Sequence, residues 1–206
     1  MGNRNQIYIF FSLKREANSL LSQSEIKFKR ISNNQFQSSC KDFKINLIIT
    51  GIWKKCIQAI DNLNLNDPLL IIKAGTCAVL DDRIKLGKIF IPFFVSYKDQ
   101  KIEIPFSGIP DRIKNELEKL KINAGLLTQD EPLFNSAYAN KLFKNGFCAI
   151  DMETFFIKQK FPGIPFIPLL VGTDRGDKKA IIDFFKNLAN ASKMLKEEIA
   201  KIVKLL

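Results

Sequence analysis

Four polar stretches of this 206-residue chain follow apolar runs and carry the side chains best suited to chemistry. They are Ser12 to Glu16, Lys73-Ala-Gly75-Thr76, Asp151-Met152-Glu153 and Gly172-Thr173-Asp174-Arg175. The chain contains no histidine. That removes Ser-His and Cys-His nucleophile activation and histidine-based metal sites. Proton transfer is left to carboxylates, lysine, tyrosine or cysteine. Gly75 would let a backbone approach a ligand closely, and Thr76 adds a hydroxyl. Each residue also has a structural role open to it. Asp151 would cap a helix whose positive end suits Glu153. Gly75 would serve a plain tight turn, Asp174 would cap a turn or the last helix, and Glu16 would face solvent.

The elements that must position these residues follow from hydrophobic patterning. Gln6 to Phe11 is an apolar run and predicts a buried strand. Ser12 then suits the N-cap of a helix carrying Glu16 and Leu20-Leu21. Lys27 to Ile31 and Ile45 to Thr50 read as strands, and Thr50-Gly51-Ile52 opens a helix with Cys56, Ile57 and Ile60 on its apolar face. Asn62 to Pro68 is a turn-rich break. Leu69 to Ile72 predicts a strand that ends in an Ala74-Gly75-Thr76 turn. Lys88 to Val95, Ile102 to Pro105, Ala124 to Leu127 and Phe147 to Ile150 continue the strands. Helices are expected from Pro110, over Ala137 to Lys144 and over Thr154 to Lys160. Pro165 to Val171 is the last strand. From Ala180, the spacing of Ile181, Phe184, Leu188, Leu195, Ile199, Ile202 and Leu206 predicts a long amphipathic helix.

Strands alternate with helices throughout, which implies an α/β class with helices on both faces of a central, twisted, largely parallel or mixed sheet. Ligands of such sheets bind at the carboxyl ends of strands, where all four polar stretches fall. Residues 1–206 read as a single domain, without repeat, linker or low-complexity segment.

Composition narrows the function. The apolar fraction is 46%, ample for a core, and no window approaches the roughly 18 apolar residues of a membrane span. The amino-terminal Met-Gly-Asn-Arg-Asn-Gln matches neither a signal peptide nor a myristoylation site, so a cytoplasmic protein without membrane partners is expected. Cys40, Cys56, Cys77 and Cys148 are scattered, which argues against a zinc site and a disulfide framework. The formal net charge of +11 raises nucleic-acid binding as an alternative. No run of five or six basic residues occurs, and the lysines spread as they do over solvated helix faces.

The ordered set of motifs resembles the purine nucleoside phosphorylase/nucleosidase superfamily, especially its 5′-methylthioadenosine/S-adenosylhomocysteine nucleosidases and the relatives acting on futalosine or adenosylhopane. Phe11-Ser-Leu-Lys-Arg-Glu16 resembles the family's strand and glutamate loop. Gly75-Thr76-Cys77-Ala78 resembles its Gly-Ser/Thr-x-Gly segment, Asp151-Met152-Glu153 its Asp/Glu-Met-Glu, and Thr173-Asp174 its Ser/Thr-Asp. Thr50-Gly51-Ile52-Trp53 matches the family's Gly-Ile-Gly in part, with Trp53 in place of one glycine and Ala78 in place of another. The resemblance implies a nucleoside phosphorylase-like three-layer fold and cleavage of an N-glycosidic bond, with no cofactor and no metal. It assigns Asp174 as the acid that protonates the purine and Glu16 as the base that activates water. Glu153 would bind the ribose hydroxyls, and Met152 would contact the sugar. Thr76 and Gly75 would line the nucleoside site, and Leu133 or Phe134 would touch the base. It further implies a small-molecule purine nucleoside as partner and a homo-oligomer, a dimer by preference.

Two reactions remain open at this level. Lys73-Ala-Gly-Thr-Cys also resembles the Arg-x-Gly-Ser/Thr-Cys of phosphorylases, whose phosphate needs a cation. Against that, the phosphorylases' Gly-Asp-Pro loop is absent, and Glu16 would repel a phosphate dianion. Hydrolysis of a 5′-substituted adenosine-type nucleoside is the preferred expectation. Phosphorolysis and a non-catalytic nucleic-acid-binding module are the alternatives.

Overall fold

The apolar runs of the sequence supply most of the ten strands, and six helices cover them, in a computed structural model that describes residues 5–23, 25–40, 42–66 and 68–206. The amino-terminal residues 1–4, read above for targeting signals, lie outside the described residues. In chain order the elements begin with β1 (Gln6–Phe11), α1 (Lys14–Leu21), β2 (Lys29–Arg30), β3 (Gln35–Cys40), β4 (Phe43–Ile49) and α2 (Lys54–Asp61). The middle of the chain forms β5 (Pro68–Val79), β6 (Ile89–Tyr97), β7 (Gln100–Glu103), α3 (Asp111–Glu118) and β8 (Lys121–Thr128). It closes with α4 (Ser136–Lys144), β9 (Phe147–Asp151), α5 (Thr154–Lys160), β10 (Phe166–Asp174) and α6 (Ala180–Leu205).

The sheet is mixed. Parallel pairs join β1 to β4 and β5, β5 to β10, β6 to β8, and β8 to β9. Antiparallel pairs join β5 to β9 and β6 to β10. These pairings close a ring, β5–β9–β8–β6–β10 and back to β5, from which β1, β4, β3 and β2 extend as an open wing. Closure leaves no free edge among the five ring strands, whose backbone groups would otherwise lack partners. All nine residues of β10 are buried, as a strand covered on both faces requires. Helix α6 packs on β10 and β5 and also carries α1 and α3, whereas α5 packs on β6, β7 and β8 and carries α2. One continuous cluster of buried side chains runs from Ile7 on β1 to Leu206 beyond α6.

Several sequence expectations change. Lys27 to Ile31 contributes only the two-residue, exposed β2. Strand β3 was not foreseen, because Gln35-Phe-Gln-Ser-Ser-Cys40 is polar in composition, with only Phe36 and Ser38 buried. The Ala74-Gly75-Thr76 segment is not a turn. β5 runs straight through it to Val79 because it pairs with β10 as far as Ala78. Helix α2 starts at Lys54, later than Thr50-Gly51-Ile52 suggested.

Close packing within the ring depends on one missing side chain. Gly125 of β8 lies beside Phe94 of β6, and a Cβ there would sit 2.2 Å from the ring carbons. Gly125→Ala should therefore cost about 1–3 kcal/mol, the usual penalty of overpacking. A melting temperature unchanged from wild type would show that Phe94 swings clear at no cost.

Candidate active site

Glu16 sits in the first turn of α1, yet it is buried rather than solvent-facing. Its Oε2 accepts from the backbone N–H of Leu13 at 2.8 Å, as the acidic arm of a capping box does. Its Oε1 accepts from the Thr76 backbone N–H at 2.8 Å and from the Thr76 hydroxyl at 2.6 Å. The glutamate thus clamps the end of β1 to the middle of β5. Leu13, not Ser12, occupies the N-cap position of α1.

The Ser12 hydroxyl is used elsewhere. It donates to Glu153 Oε2 at 2.7 Å and accepts from Lys73 Nζ at 3.0 Å. Lys73 is fully buried, and its ammonium lies 3.7 Å from Glu153 Oε2. Gly75 makes this possible, since a Cβ at that position would sit 2.5 Å from Lys73 Nζ. Gly75 therefore makes room for the Lys73 ammonium rather than for a ligand. Burial pushes the Glu153 carboxyl up to about 7, against the pull of Lys73 and the Ser12 hydroxyl and with Asp151 and Glu16 pushing further. For Lys73, burial acts to lower the pKa, but the field of Glu153, Glu16 and Asp151 overrides it and raises the pKa.

Asp151 anchors the turn between β9 and α5. Its Oδ1 accepts from the Thr128 hydroxyl at 2.6 Å, and its Oδ2 accepts from the Thr154 backbone N–H at 2.9 Å and from the Thr154 hydroxyl. Both oxygens are committed to the fold, with Oδ2 on the first N–H of α5, although Glu153 and not Asp151 occupies the N-cap position. The turn thereby presents Met152 and Glu153 to the cleft.

Asp174 ends β10, just beyond an irregularity in the pairing with β5 between Gly172 and Asp174. Such a bulge re-aims the side chain that follows it. Arg175 fixes the bend, donating to the carbonyls of Asp81 and Ile84 at 3.0 and 3.1 Å. Asp174 Oδ1 accepts from the Gly176 N–H at 3.0 Å, and Oδ2 lies 3.1 Å from the Thr173 hydroxyl. That hydroxyl also lies 3.3 Å from the carbonyl of Cys77. Thr173 offers its single proton to both acceptors, so Asp174 Oδ2 receives only a shared donor. Burial pushes the Asp174 carboxyl up to about 6, reinforced by Asp183 and Asp177 and opposed by the Gly176 N–H and the Thr173 hydroxyl.

These groups meet around one cleft of about 440 Å³. Glu16, Thr76, Met152, Glu153 and Asp174 line its interior, with Leu133 and Phe134 from the loop after β8. Ile52, Ile181, Phe184 and Phe185 form its apolar rim. The cleft joins an apolar wall to a few convergent polar groups, among them Glu153 and Asp174 with raised pKa values, the usual make-up of a small-molecule site. Among the described residues, no cluster of side chains suits a metal ion.

A curated 5′-methylthioadenosine/S-adenosylhomocysteine nucleosidase from Buchnera aphidicola subsp. Schizaphis graminum is 30% identical to this chain over 209 residues. The match covers 89% of this chain and 87% of that protein. The chain belongs to the 5′-methylthioadenosine/S-adenosylhomocysteine nucleosidase family. Solved nucleosidases share its fold at lower identity. The Neisseria meningitidis enzyme in complex with methylthio-immucillin-A superposes with a TM-score of 0.83 at 17% identity, covering 98% of this chain and 100% of that one. The Chlamydia trachomatis enzyme bound to methylthioadenosine gives 0.80 at 19% identity, covering 97% and 98%. No family model matches the chain.

The nucleosidase fold brings Glu16, Thr76, Met152, Glu153, Asp174 and Leu133 to a single cleft and leaves Gly75 behind its wall. Of the two glycine replacements, only Trp53 is strained. It adopts φ 47°, a region that suits glycine, whereas Ala78 lies in β5 without a positive φ. Sequence reasoning missed the rim. Ile181 and Phe184 were assigned to the core face of α6, but Ile181 is exposed and Phe184 half-buried, because the first turn of α6 overhangs the cleft. The signal was present in Ile181-Ile182 and Phe184-Phe185, where adjacent apolar residues exceed what one helix face buries.

Asp174→Asn replaces the carboxyl by a neutral group of nearly the same shape that still accepts from the Gly176 N–H. The folded pKa of Asp174 lies above its ordinary value of 3.8. The proton it holds in the fold therefore supports stability at low pH, and that support is lost as pH rises through about 6. Asp174→Asn should accordingly gain up to about 3 kcal/mol over wild type at pH 8 and almost nothing at pH 4. Melting curves at the two pH values check this, and an equal difference at both would remove the raised acid.

Proposed function

We propose that this chain is a nucleosidase that hydrolyses the N-glycosidic bond of a 5′-substituted adenosine-type nucleoside, releasing the free base and the ribosyl product. The observation that carries the reading is the convergence of Glu16, Glu153 and Asp174 on one cleft, each with a different set of partners. Asp174 is the general acid. A purine leaves poorly as an anion, and a proton delivered to its ring nitrogen lets it depart neutral. A carboxyl raised to about 6 still holds protons close to neutrality. Glu16, fixed by three donors, orients and deprotonates the attacking water. Glu153 accepts from the ribose hydroxyls and stabilises positive charge developing on the sugar. Met152 packs on the sugar, Thr76 lines the nucleoside site, and Leu133 with Phe134 contacts the base. The apolar rim of Ile52, Ile181, Phe184 and Phe185 suits an apolar 5′ group such as the methylthio group named in the relatives' substrates.

Water is preferred over phosphate as the nucleophile. The one cation that a phosphate could use on β5 is Lys73, and it is sealed beneath Ser12, away from the cleft. We further place the protein in the cytoplasm, where its four free cysteines would stay reduced. Among the described residues no helix is long and apolar enough to cross a membrane. We also assign it a homodimeric state. Ile52, Phe134, Ile181 and Phe185 line the cleft and are exposed, and Ile182, next to Ile181 on α6, is exposed as well, an apolar patch that suits a subunit interface.

Three measurements test this reading. Methylthioadenosine incubated with the protein in phosphate-free buffer should yield free adenine and methylthioribose. Strict dependence on phosphate, with a sugar 1-phosphate product, would reverse the choice of nucleophile. In Asp174→Asn, kcat should fall about 10²–10⁴-fold, the range of general acid catalysis, while nucleoside affinity changes little. Full activity would exclude Asp174 from the mechanism. Sedimentation should find a dimer in the wild type and a monomer in Ile182→Glu/Phe185→Glu, and a monomeric wild type would refute the assembly.

A further inference from the structure

Lys73 is a fully buried cation that takes no part in the steps of hydrolysis. Its ammonium lies 3.0 Å from Ser12 Oγ, 3.4 Å from the Ala74 carbonyl and 3.7 Å from Glu153 Oε2. It occupies the space that any side chain at Gly75 would fill. An ammonium donates hydrogen bonds and accepts none. The Ser12 oxygen must therefore accept from Lys73, and its single proton is free to point only elsewhere. That proton meets Glu153 Oε2 at 2.7 Å. The order Lys73 to Ser12 to Glu153 thus has one direction. Among the described residues no group is seen to donate to the other oxygen of Glu153, Oε1, although the residue borders the cleft.

We propose that Lys73 is a positioning residue for sugar recognition: from beneath the cleft it sets the direction of the Ser12 hydroxyl and holds the Glu153 carboxylate with one oxygen left for the substrate. The inference rests on the assignment of Glu153 to the ribose hydroxyls. Glu153 is also faced by Glu16 of α1, by Asp151 at the end of β9 and by the Cys56 thiol of α2. Lys73 is the cation of this group. Without it, burial and the acidic neighbours would raise the Glu153 carboxyl further and remove acceptor capacity from the sugar site.

Lys73→Met keeps most of the side-chain volume and removes the charge, and Ser12→Ala breaks the bridge while leaving the cation. The first readout needs no ligand. The side-chain carboxyl resonance of Glu153, assigned with Glu153→Gln, is titrated by carbon-13 NMR. Its midpoint should rise by about one pH unit or more in Lys73→Met and by less in Ser12→Ala. The second readout is the pH profile of kcat/KM with methylthioadenosine. Its acid limb should move up by the same amount, with a loss of about ten-fold or more at pH 6 that falls mainly on KM. The Lys73→Met/Ser12→Ala double variant should lose little more than Lys73→Met alone, because both act through the same oxygen. An unmoved Glu153 midpoint, or a lowered melting temperature with an unmoved acid limb, would reduce Lys73 to a structural ion pair and overturn the proposal. Should Lys73→Met fail to fold, Ser12→Ala decides by the same two readouts. A wild type that releases no adenine would sink the assigned reaction, and the carboxyl midpoint would still decide what Lys73 does to Glu153.

Discussion

Glu16, Glu153 and Asp174 all carry carboxyl groups into an interior where an unpaired ionised group costs several kcal/mol. The site is organised around meeting that cost in three different ways. Glu16 is held by three hydrogen-bond donors, two of them backbone N–H groups. Glu153 shares its interior with the Lys73 ammonium and receives the Ser12 hydroxyl. Asp174 is met by one backbone N–H and a shared hydroxyl, and burial still raises its carboxyl to about 6. Three chemically identical groups thus acquire distinct characters within one cleft, because their surroundings differ.

Strand β5 makes this possible. It pairs with β1, β9 and β10, the strands that lead to Ser12 and Glu16, to Glu153, and to Asp174. The same strand supplies Thr76 to Glu16 and Lys73 to Ser12. Gly75 between them is required by a side chain rather than by a turn, since its missing Cβ is where the ammonium sits. Ring closure of the sheet brings the ends of β9 and β10 to opposite sides of β5, so Glu153 and Asp174 reach one cleft from different strands. The apolar rim from the first turn of α6 completes the cleft, on helix surface that has no core to enter.

The elements that were legible in the sequence are those with a strong period. The apolar run from Gln6 to Phe11 and the core spacing of α6 from Leu188 onward report burial directly. β3 was not legible, because only Phe36 and Ser38 of its six residues turn inward. The continuation of β5 was hidden for a different reason. Gly75 and Thr76 look like turn residues in isolation, and only pairing with β10 holds them extended.

The sequence by itself left proton transfer to carboxylates, lysine, tyrosine or cysteine, since histidine is absent, and it set Glu16, Thr76, Met152, Glu153 and Asp174 in an order that resembles a nucleosidase site. It also determined the α/β class, because hydrophobic period is a local property. Tertiary structure alone decided that Asp151 serves the fold while Glu153 serves the cleft. The two acids differ only in which donors surround them, and Thr128 comes from a separate strand. It alone decided that Lys73 is sealed under Ser12 rather than open to an anion, because the residues that enclose it lie 61 and 80 positions away along the chain. Charge state and direction in a buried site are set by contacts between distant segments, and no local pattern encodes those.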